Sequence, residues 1–257
     1  MILTPGNYYS PEANWEYFSC SQIKSFTECP ARTMAELRGE YVRPVTDALL
    51  VGSYVDAYFE GTLDSFVTAH PEIVTRGGTL KAQYQRANEM IARAEADPVF
   101  MEYMIGVKQA IYTGTIDGYP FKIKIDVLHP ERIVDLKTAK DFQSVYKPGQ
   151  GRMTFAEAYQ YTLQGGIYQA VEGRNKPFYI AAITKEAIPD IAVIHIGQHY
   201  MDAEMKVLRD NLPYYDAIKQ GVVEPPRCEH CAYCKATRKL TGAIELEEFE
   251  MIYNEGE

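Results

Sequence analysis

The sequence predicts an α/β (α+β) fold, in which a central mixed β-sheet is flanked by helices. Short apolar or alternating runs of strand length recur in the middle of the chain, and longer stretches of helical character lie on both sides of them. Of the 257 residues, 46% are hydrophobic and 24% are charged, which is typical of a globular protein. Because no linker-like run of Gly, Pro or Ser divides the chain, we expect a single domain over residues 1–257.

The N-terminal part of the chain is expected to be mainly helical. Residues 1–18 are rich in aromatic and turn-forming residues, and we expect them to form an extended arm packed on the body. Pro30 should kink or interrupt the first of the helices that follow. The second helix carries Asp56, which by position alone could be one more solvent-facing acid. These helices are predicted over about 20–38, 46–60 and 80–96.

Two strands joined by a polar turn form the stretch around which the rest is organised. Over residues 121–127, apolar side chains alternate with charged ones, which is the period-two pattern of a half-buried strand. A turn at 129–132 leads into a return strand that places Asp135 and Lys137 on one face, because side chains two apart in a strand point the same way. If the two strands pair, Asp126 and Asp135 converge.

Two carboxylates and a lysine in this arrangement suit a hard divalent cation. Mg²⁺ prefers oxygen ligands and keeps several waters, so two carboxylates, water and a substrate phosphate would make a suitable site. Lys137 could orient or deprotonate a water, or offset charge on a phosphate in the transition state. The alternative is that Asp126, Asp135 and Lys137 are solvated residues on the exposed face of a hairpin.

A helix over about 155–172 follows, with Gln164 and Tyr168 four residues apart and hence on one side. An amide and a phenol together can orient a phosphate, a water or a catalytic side chain. Gln164 could equally be a buried residue that is hydrogen-bonded to the backbone. The remaining predicted elements are strands over 107–114, 178–184 and 191–196 and a last helix over 201–220.

The cysteines form a second group of candidate ligands. Three of them, Cys228, Cys231 and Cys234, have C-x-x-C-x-x-C spacing, which allows three thiolates to surround one soft metal centre. Zinc could take four cysteines or three cysteines with His230, and a site without metal is the third alternative. Cys20 is predicted to be a small buried residue.

The order of these motifs resembles that of the PD-(D/E)xK nucleases, in the form found in RecB-like and exodeoxyribonuclease VIII-like phage-type exonucleases. Asp126 followed by Asp135 and Lys137 resembles the motif itself, and Gln164 with Tyr168 resembles the Q-x-x-x-Y element of those families. Two positions depart from the pattern. Ile125 stands where the motif has proline, and Asp56, in the stretch from Gly52, stands where a histidine is usual.

The resemblance implies a restriction-endonuclease-like core and a deoxyribonuclease that depends on Mg²⁺ or Mn²⁺ and acts on the ends of linear DNA. It also implies a role in phage or prophage recombination, with a single-strand annealing protein as partner. Asp56, Asp126 and Asp135 would bind the metal ion, and Lys137 would assist the attacking water. Gln164 and Tyr168 would position the substrate strand. The lysines expected to bind substrate are Lys122, Lys124 and Lys140.

In relatives of this group, one cysteine before the core joins three after it to hold a [4Fe-4S] cluster. Cys29 matches the position of the first ligand. The resemblance therefore implies that the helix over about 20–38 and the cysteine segment over about 225–240 are clasped together by Cys29, Cys228, Cys231 and Cys234. Zinc remains the alternative for the same residues.

Charge and hydropathy limit the other functions. A formal net charge of −9 is unfavourable for DNA binding in general, and a narrow basic cleft in an acidic protein would suit an enzyme that binds one DNA end rather than one that coats duplex DNA. No apolar run is long enough for a membrane span and no signal peptide is visible, so we expect a cytoplasmic protein. Two further functions are a non-catalytic DNA-end-binding or recombination accessory protein, and a metal-sensing or structural cysteine protein. The first has no need of two converging acids, which repel phosphate, and the second does not explain the order of the motifs.

Overall fold

A mixed β-sheet forms the centre of the computed structural model, which describes residues 1–147, 151–240, 242–247 and 249–250. The strands in these residues are β1 (Val107–Ile116), β2 (Tyr119–Leu128), β3 (Ile133–Ala139), β4 (Val145–Lys147), β5 (Gly151–Met153), β6 (Phe178–Thr184) and β7 (Ile191–Ile196). The main sheet has the order β1-β2-β3-β6-β7, and β4 and β5 pair separately. Only β3 and β6 are parallel within the main sheet. The prediction of a mixed sheet flanked by helices is confirmed.

Helices account for most of the remaining described residues. They are α1 (Pro11–Glu16), α2 (Cys20–Glu28), α3 (Pro30–Leu37), α4 (Asp47–Glu60), α5 (Leu63–Ala69), α6 (Ala82–Glu95), α7 (Pro98–Tyr103), α8 (Phe155–Ala158), α9 (Tyr161–Glu172), α10 (Gln198–Lys219) and α11 (Ala232–Ala236). A short 3₁₀ turn at Pro71–Ile73 lies between α5 and α6. No helix in the described part of the chain is both long enough and apolar enough to cross a membrane.

Three predictions of secondary structure differ from the structure, one for the arm expected to be extended and two for helices expected to be continuous. The arm contains a helical turn, α1, because Ser10 accepts a hydrogen bond from the Ala13 amide and Pro11 occupies the first helical position. The helix predicted over 20–38 is two helices, divided at Cys29 just before Pro30. The helix predicted over 155–172 is also divided, because Gln160 adopts a left-handed conformation with φ of 54°.

Two hydrophobic cores lie on opposite faces of the sheet. On one face, α2, α9 and α10 cover a core that includes Phe121, Ile125 and Ile180. On the other face, α4, α6 and α7 cover a core that includes Val127 and Leu136. The strands between the two cores are therefore buried on both sides, as in other layered α/β domains.

Strands β2 and β3 pair only near the turn that joins them and then separate. Their paired positions are Val127 with Val134 and Leu128 with Ile133. Ile125 belongs to one core and Val127 to the other, although they are two residues apart. The side chains of β2 therefore switch from one face of the sheet to the other at Asp126. The separation opens a gap in the sheet beside the Asp126 side chain.

Residues from elsewhere in the chain satisfy the backbone groups that the gap leaves without a strand partner. The Phe18 amide donates to the Pro120 carbonyl at 2.8 Å, and the Lys122 amide donates to the Phe18 carbonyl at 2.8 Å. Further along β2, the Tyr168 hydroxyl donates to the Lys124 carbonyl at 3.0 Å. Buried backbone groups need such partners, so these contacts stabilise the open sheet.

Two glycines allow helices to approach the sheet closely. A Cβ atom on Gly52 of α4 would lie 3.0 Å from Thr138 Oγ1 of β3. A Cβ atom on Gly165 of α9 would lie 2.6 Å from the Phe178 ring, which is closer than real Cβ contacts. Asp56 follows Gly52 by four residues, and Gln164 directly precedes Gly165. The two glycines therefore bring these side chains to the sheet from opposite sides.

Candidate active site and metal centre

The Asp126 side chain lies in the gap between β2 and β3. Its Oδ2 atom accepts a hydrogen bond from the Leu136 amide at 2.9 Å, and its Oδ1 atom accepts one from Gln109 Nε2 at 3.2 Å. A carboxylate thus takes the place that a β2 carbonyl would have in a regular sheet. The hydrogen bonds fix the orientation of Asp126 beside β3.

Asp135 is buried on the face of β3 that packs against α9. Its Oδ1 atom accepts a hydrogen bond from Gln164 Nε2 at 2.7 Å, and Lys137 forms an ion pair with its Oδ2 atom. The amide of Gln164 therefore holds one oxygen atom of the carboxylate, and the other oxygen atom faces the Lys137 ammonium group.

Asp56 and Glu60 extend the acidic group from the opposite face. Both lie on α4, four residues apart and hence on one side, and both line a cleft of about 460 Å³ that Asp126 also lines. Asp56 was predicted from the sequence, whereas Glu60 was not. The spacing of four residues between Glu60 and Asp56 is the signal that could have identified Glu60. The cleft also contains Gln109 and Lys124.

Burial and neighbouring acids raise the pKa values of Asp56 and Asp135. Burial, followed by the nearby Asp126 charge, raises the pKa of Asp56 to about 8. Burial also raises the pKa of Asp135 to about 7, with Lys137 opposing the shift and Asp126 adding to it. Burial acts to lower the pKa of Lys137, but the charges of Asp135 and Asp126 outweigh it and hold that pKa above its usual value. A divalent cation would relieve this repulsion between the acids.

The acidic group fits an open magnesium or manganese site. Among the described residues, only the four cysteines bring three or more ligand atoms within 4.8 Å of one another, so the carboxylates do not form a closed cage. Mg²⁺ is usually bound by one or two carboxylates with several waters and substrate phosphates. An open set of carboxylate oxygens at the edge of a cleft is compatible with that coordination.

The predicted substrate-binding lysines have three different environments. Lys124 is half-buried at the cleft, and Lys140 is almost fully exposed next to Asp141. Lys122 differs from the prediction, because only 1% of it is exposed and its ammonium group donates to the Tyr8 carbonyl and to Asn14 Oδ1. The N-terminal arm covers Lys122, so it is not available to DNA and we withdraw it as a substrate contact.

Tyr168 also differs from its predicted role. Its side chain is buried, and its hydroxyl group is used by the Lys124 carbonyl in the gap between the strands. Gln164, one helical turn earlier, is the residue of this pair that contacts a carboxylate. In this structure Tyr168 therefore supports β2, and its hydroxyl group donates to the backbone.

Four cysteines form a separate site at the junction of α3 and α11. Cys29 Sγ lies 3.6 Å from Cys234 Sγ, which lies 3.9 Å from Cys228 Sγ, and all four sulfur atoms, including that of Cys231, lie within 4.8 Å of one another. His230 is not in this group. The sulfur atoms of Cys29, Cys228 and Cys231 accept backbone N–H bonds from Arg32, Cys231 and Cys234. Such bonds favour thiolates, the form that binds metal.

The spacing of these sulfur atoms can be compared with the two metal centres that the sequence suggests. Four thiolates at about 2.3 Å from one zinc ion are about 3.8 Å from each other. A [4Fe-4S] cluster binds each thiolate through a different iron of a cube, so the sulfur atoms must be further apart. The observed distances fit one tetrahedral ion, and a cluster would require the cysteines to move outward.

The sheet, the gap at Asp126 and the D…DxK residues with Gln164 define a PD-(D/E)xK-type domain with a restriction-endonuclease-like fold. The chain belongs to the family described as "PDDEXK-like domain of unknown function (DUF3799)", which matches residues 19–237. The prediction of a PD-(D/E)xK protein is confirmed. No curated protein matches the chain.

Two solved structures are similar to this chain in different degrees. The crystal structure of a "Putative exonuclease" from Eubacterium rectale is 41% identical, covers 97% of this chain and 98% of that chain, and has a TM-score of 0.93. The crystal structure of SSO0001 is 14% identical over 86% of this chain and 96% of that chain, with a TM-score of 0.34. The second value is too low for any conclusion about shared structure.

Proposed function

We propose that this protein is a metal-dependent deoxyribonuclease that hydrolyses phosphodiester bonds at DNA ends. The observation that carries the proposal is the contact between Asp135, Lys137 and Gln164 next to the gap that holds Asp126. An intact acid and lysine set with a buried amide support is what a hydrolase needs, whereas a binding module has no use for acids that repel phosphate. The similarity to the "Putative exonuclease" supports action at ends.

Each residue of the site has a separate task in this proposal. Mg²⁺ or Mn²⁺, held by Asp56, Asp126 and Asp135 with Glu60 beside them, would supply positive charge against the phosphate and activate a water. Lys137 carries a positive charge next to the scissile phosphate and stabilises the negative charge that develops there. Gln164 keeps Asp135 in one orientation through its hydrogen bond. Burial of Asp135 excludes bulk water from this side.

Digestion of end-labelled linear DNA and closed circular DNA tests the proposal directly. We expect release of nucleotides from linear DNA with Mg²⁺ or Mn²⁺, no release with a chelator present, and no change in the circle. Degradation of the circle at the same rate would contradict action at ends. Undiminished cleavage in the chelator would contradict the metal dependence, and no cleavage of any DNA would favour a non-catalytic DNA-end-binding or recombination accessory protein.

Replacing Lys137 with alanine should separate charge stabilisation from metal binding. We expect Lys137→Ala to lower kcat by about a hundredfold or more, because one positive charge at the transition state is lost. In a calorimetric titration, the variant should bind Mn²⁺ at least as tightly as the wild type, since an ammonium group is not a ligand for a hard cation. Lys206→Ala, an exposed lysine on α10, is the matched control. Loss of Mn²⁺ binding in Lys137→Ala would contradict this division of tasks.

For the cysteine site we propose a single zinc ion in a structural role. The sulfur separations support one tetrahedral ion over the [4Fe-4S] cluster. Because Cys29 and the other three cysteines are far apart in the sequence, the ion would join the N- and C-terminal segments of one domain. The thiolates would need a reducing compartment, which is consistent with the cytoplasmic location we expect. Phage origin, recombination and a single-strand annealing partner remain predictions from the resemblance.

A further inference from the structure

An exposed tyrosine stands at the rim of the acidic cleft. Tyr9 lines the cleft that also contains Asp56 and Asp126, and 68% of its surface is exposed. Lys124 Nζ lies 5.2 Å from the centre of the Tyr9 ring. A large aromatic ring that is exposed next to a lysine and a set of catalytic acids has a free face for a ligand.

The backbone of this tyrosine and of its neighbour Tyr8 is held by side-chain contacts. The Lys122 ammonium group donates to the carbonyl of the preceding residue, Tyr8, and lies 4.7 Å from the Tyr8 ring centre. The Tyr8 and Tyr9 rings are in edge contact, with centres 4.9 Å apart. Asn14 Nδ2 donates to the Tyr9 carbonyl at 3.3 Å. The ring of Tyr9 is thus presented on a fixed segment, so little conformational freedom is lost when a ligand binds.

A second group of aromatic rings and lysines includes Lys137, the ion-pair partner of Asp135. Lys137 Nζ is 5.4 Å and Lys24 Nζ is 5.2 Å from the Tyr161 ring centre. Tyr161 stacks on Tyr159, with ring centres 5.9 Å apart, and 48% of Tyr159 is exposed. Aromatic rings thus lie next to lysines in two places, at Tyr9 beside the cleft and at Tyr159 and Tyr161 beside Lys137.

This alternation is the feature by which proteins bind unpaired nucleic acid without reading its sequence. Bases stack on aromatic side chains and lysines neutralise the phosphates between them. A paired base inside a duplex has both faces covered by its neighbours, and a terminal pair has only one free face, whereas an unpaired base can turn either face to Tyr9. Neither the metal-binding acids nor Lys137 require these exposed rings for hydrolysis.

We propose that the substrate enters the site as an unpaired DNA end, with one base stacked on Tyr9 and the following strand directed along Tyr159. The inference rests on the proposed nuclease function and specifies its substrate class. Duplex ends would be cleaved after their terminal pairs open. Lys124 and Lys24 would contact the phosphates on the two sides of the scissile bond.

Removal of single bases from the DNA provides the first test. Short single-stranded oligonucleotides, each with one abasic site at a successive position, would be bound with Ca²⁺ replacing Mg²⁺ to slow hydrolysis. We expect one abasic position to weaken binding to the wild type by about tenfold. Tyr9→Ala should weaken binding of intact DNA by a similar factor and should be insensitive to that abasic site. Tyr9→Phe should behave as the wild type, because stacking needs the ring and not the hydroxyl group.

Cleavage kinetics provide the second test and separate this inference from the proposed function. We expect the wild type to cleave a duplex with a short unpaired end with a kcat/KM about tenfold above that for the blunt duplex, and Tyr9→Ala to lose this preference. Tyr214→Ala, another partly exposed tyrosine, is the matched control and should change neither measurement. Cleavage by the wild type without an abasic effect or a preference for unpaired ends would overturn the stacking inference alone. An absence of cleavage on every DNA would overturn the proposed function as well.

Discussion

Asp135→Asn should lower DNA cleavage by at least about a thousandfold while the protein remains folded, because the variant loses a charged metal ligand and one element of transition-state stabilisation. Asparagine has nearly the same shape, and its carbonyl oxygen can still accept the hydrogen bond from Gln164. Lys137 would lose the negative charge of Asp135 in this variant but would still have that of Asp126 nearby. The measurement is single-turnover cleavage of end-labelled linear DNA, with a thermal melt of the same sample.

Asp117→Asn is the matched control for this substitution. Asp117 is a half-exposed acid that pairs with Arg209 at 3.4 Å, away from the carboxylate cleft. An exposed pair of this kind contributes about 0–1 kcal/mol, so both activity and melting temperature should stay close to those of the wild type. Full cleavage activity in Asp135→Asn would remove Asp135 from the mechanism. An unfolded variant would show that the carboxylate is needed for the fold itself.

Cys231→Ser should have the largest effect on stability. A structural thiolate site can contribute about 10 kcal/mol to folding through metal binding, so the loss of one ligand should sharply lower the melting temperature and the soluble yield. Activity per folded molecule should change far less, because the cysteines lie outside the carboxylate cleft. Cys20→Ser is the matched control, since Cys20 is equally a free cysteine but is not in the group of four.

Metal analysis of anaerobically purified protein would identify the ion. We expect colourless protein with one zinc per chain, which should be absent from Cys231→Ser. Brown protein that absorbs near ~400 nm, with iron and acid-labile sulfide, would decide for the [4Fe-4S] cluster and would require the sulfur atoms to be further apart than in this structure. Protein with neither metal and an unchanged melting temperature in Cys231→Ser would contradict a metal site altogether.

Local patterns in the sequence were sufficient for the sheet and for part of the candidate site. The two-residue period of β2 and β3 depends on strand geometry alone, so Asp135 and Lys137 could be assigned to one face without a structure. The pairing of β3 with β6 and the gap at Asp126 could not be assigned in this way. They depend on contacts between segments that are distant in the sequence.

Lys122 shows why the period of a strand does not identify a substrate contact. Its position in β2 gives the face of the strand, whereas the residues that cover that face, Tyr8 and Asn14, are more than a hundred positions away. Burial of a lysine is unusual unless its ammonium group is fully hydrogen-bonded, so sequence reasoning favours exposure. The division of the predicted helix at Gln160 was equally hidden, since neither proline nor glycine marks it.

The gap between β2 and β3 also affects the stage of synthesis at which the protein can complete its fold and become active. The segment around Phe18, which is synthesised first, must remain without its partner until β2 has been made, and Lys219 donates to the Tyr17 carbonyl only after almost the whole chain exists. Closing such long loops slows folding, since their entropy is lost before the contacts form. Until then the inner edge of β2 stays open to pairing with other chains, which is the usual origin of aggregation. The gap that holds the Asp126 side chain is thus also a part of the nascent protein that is exposed to such pairing.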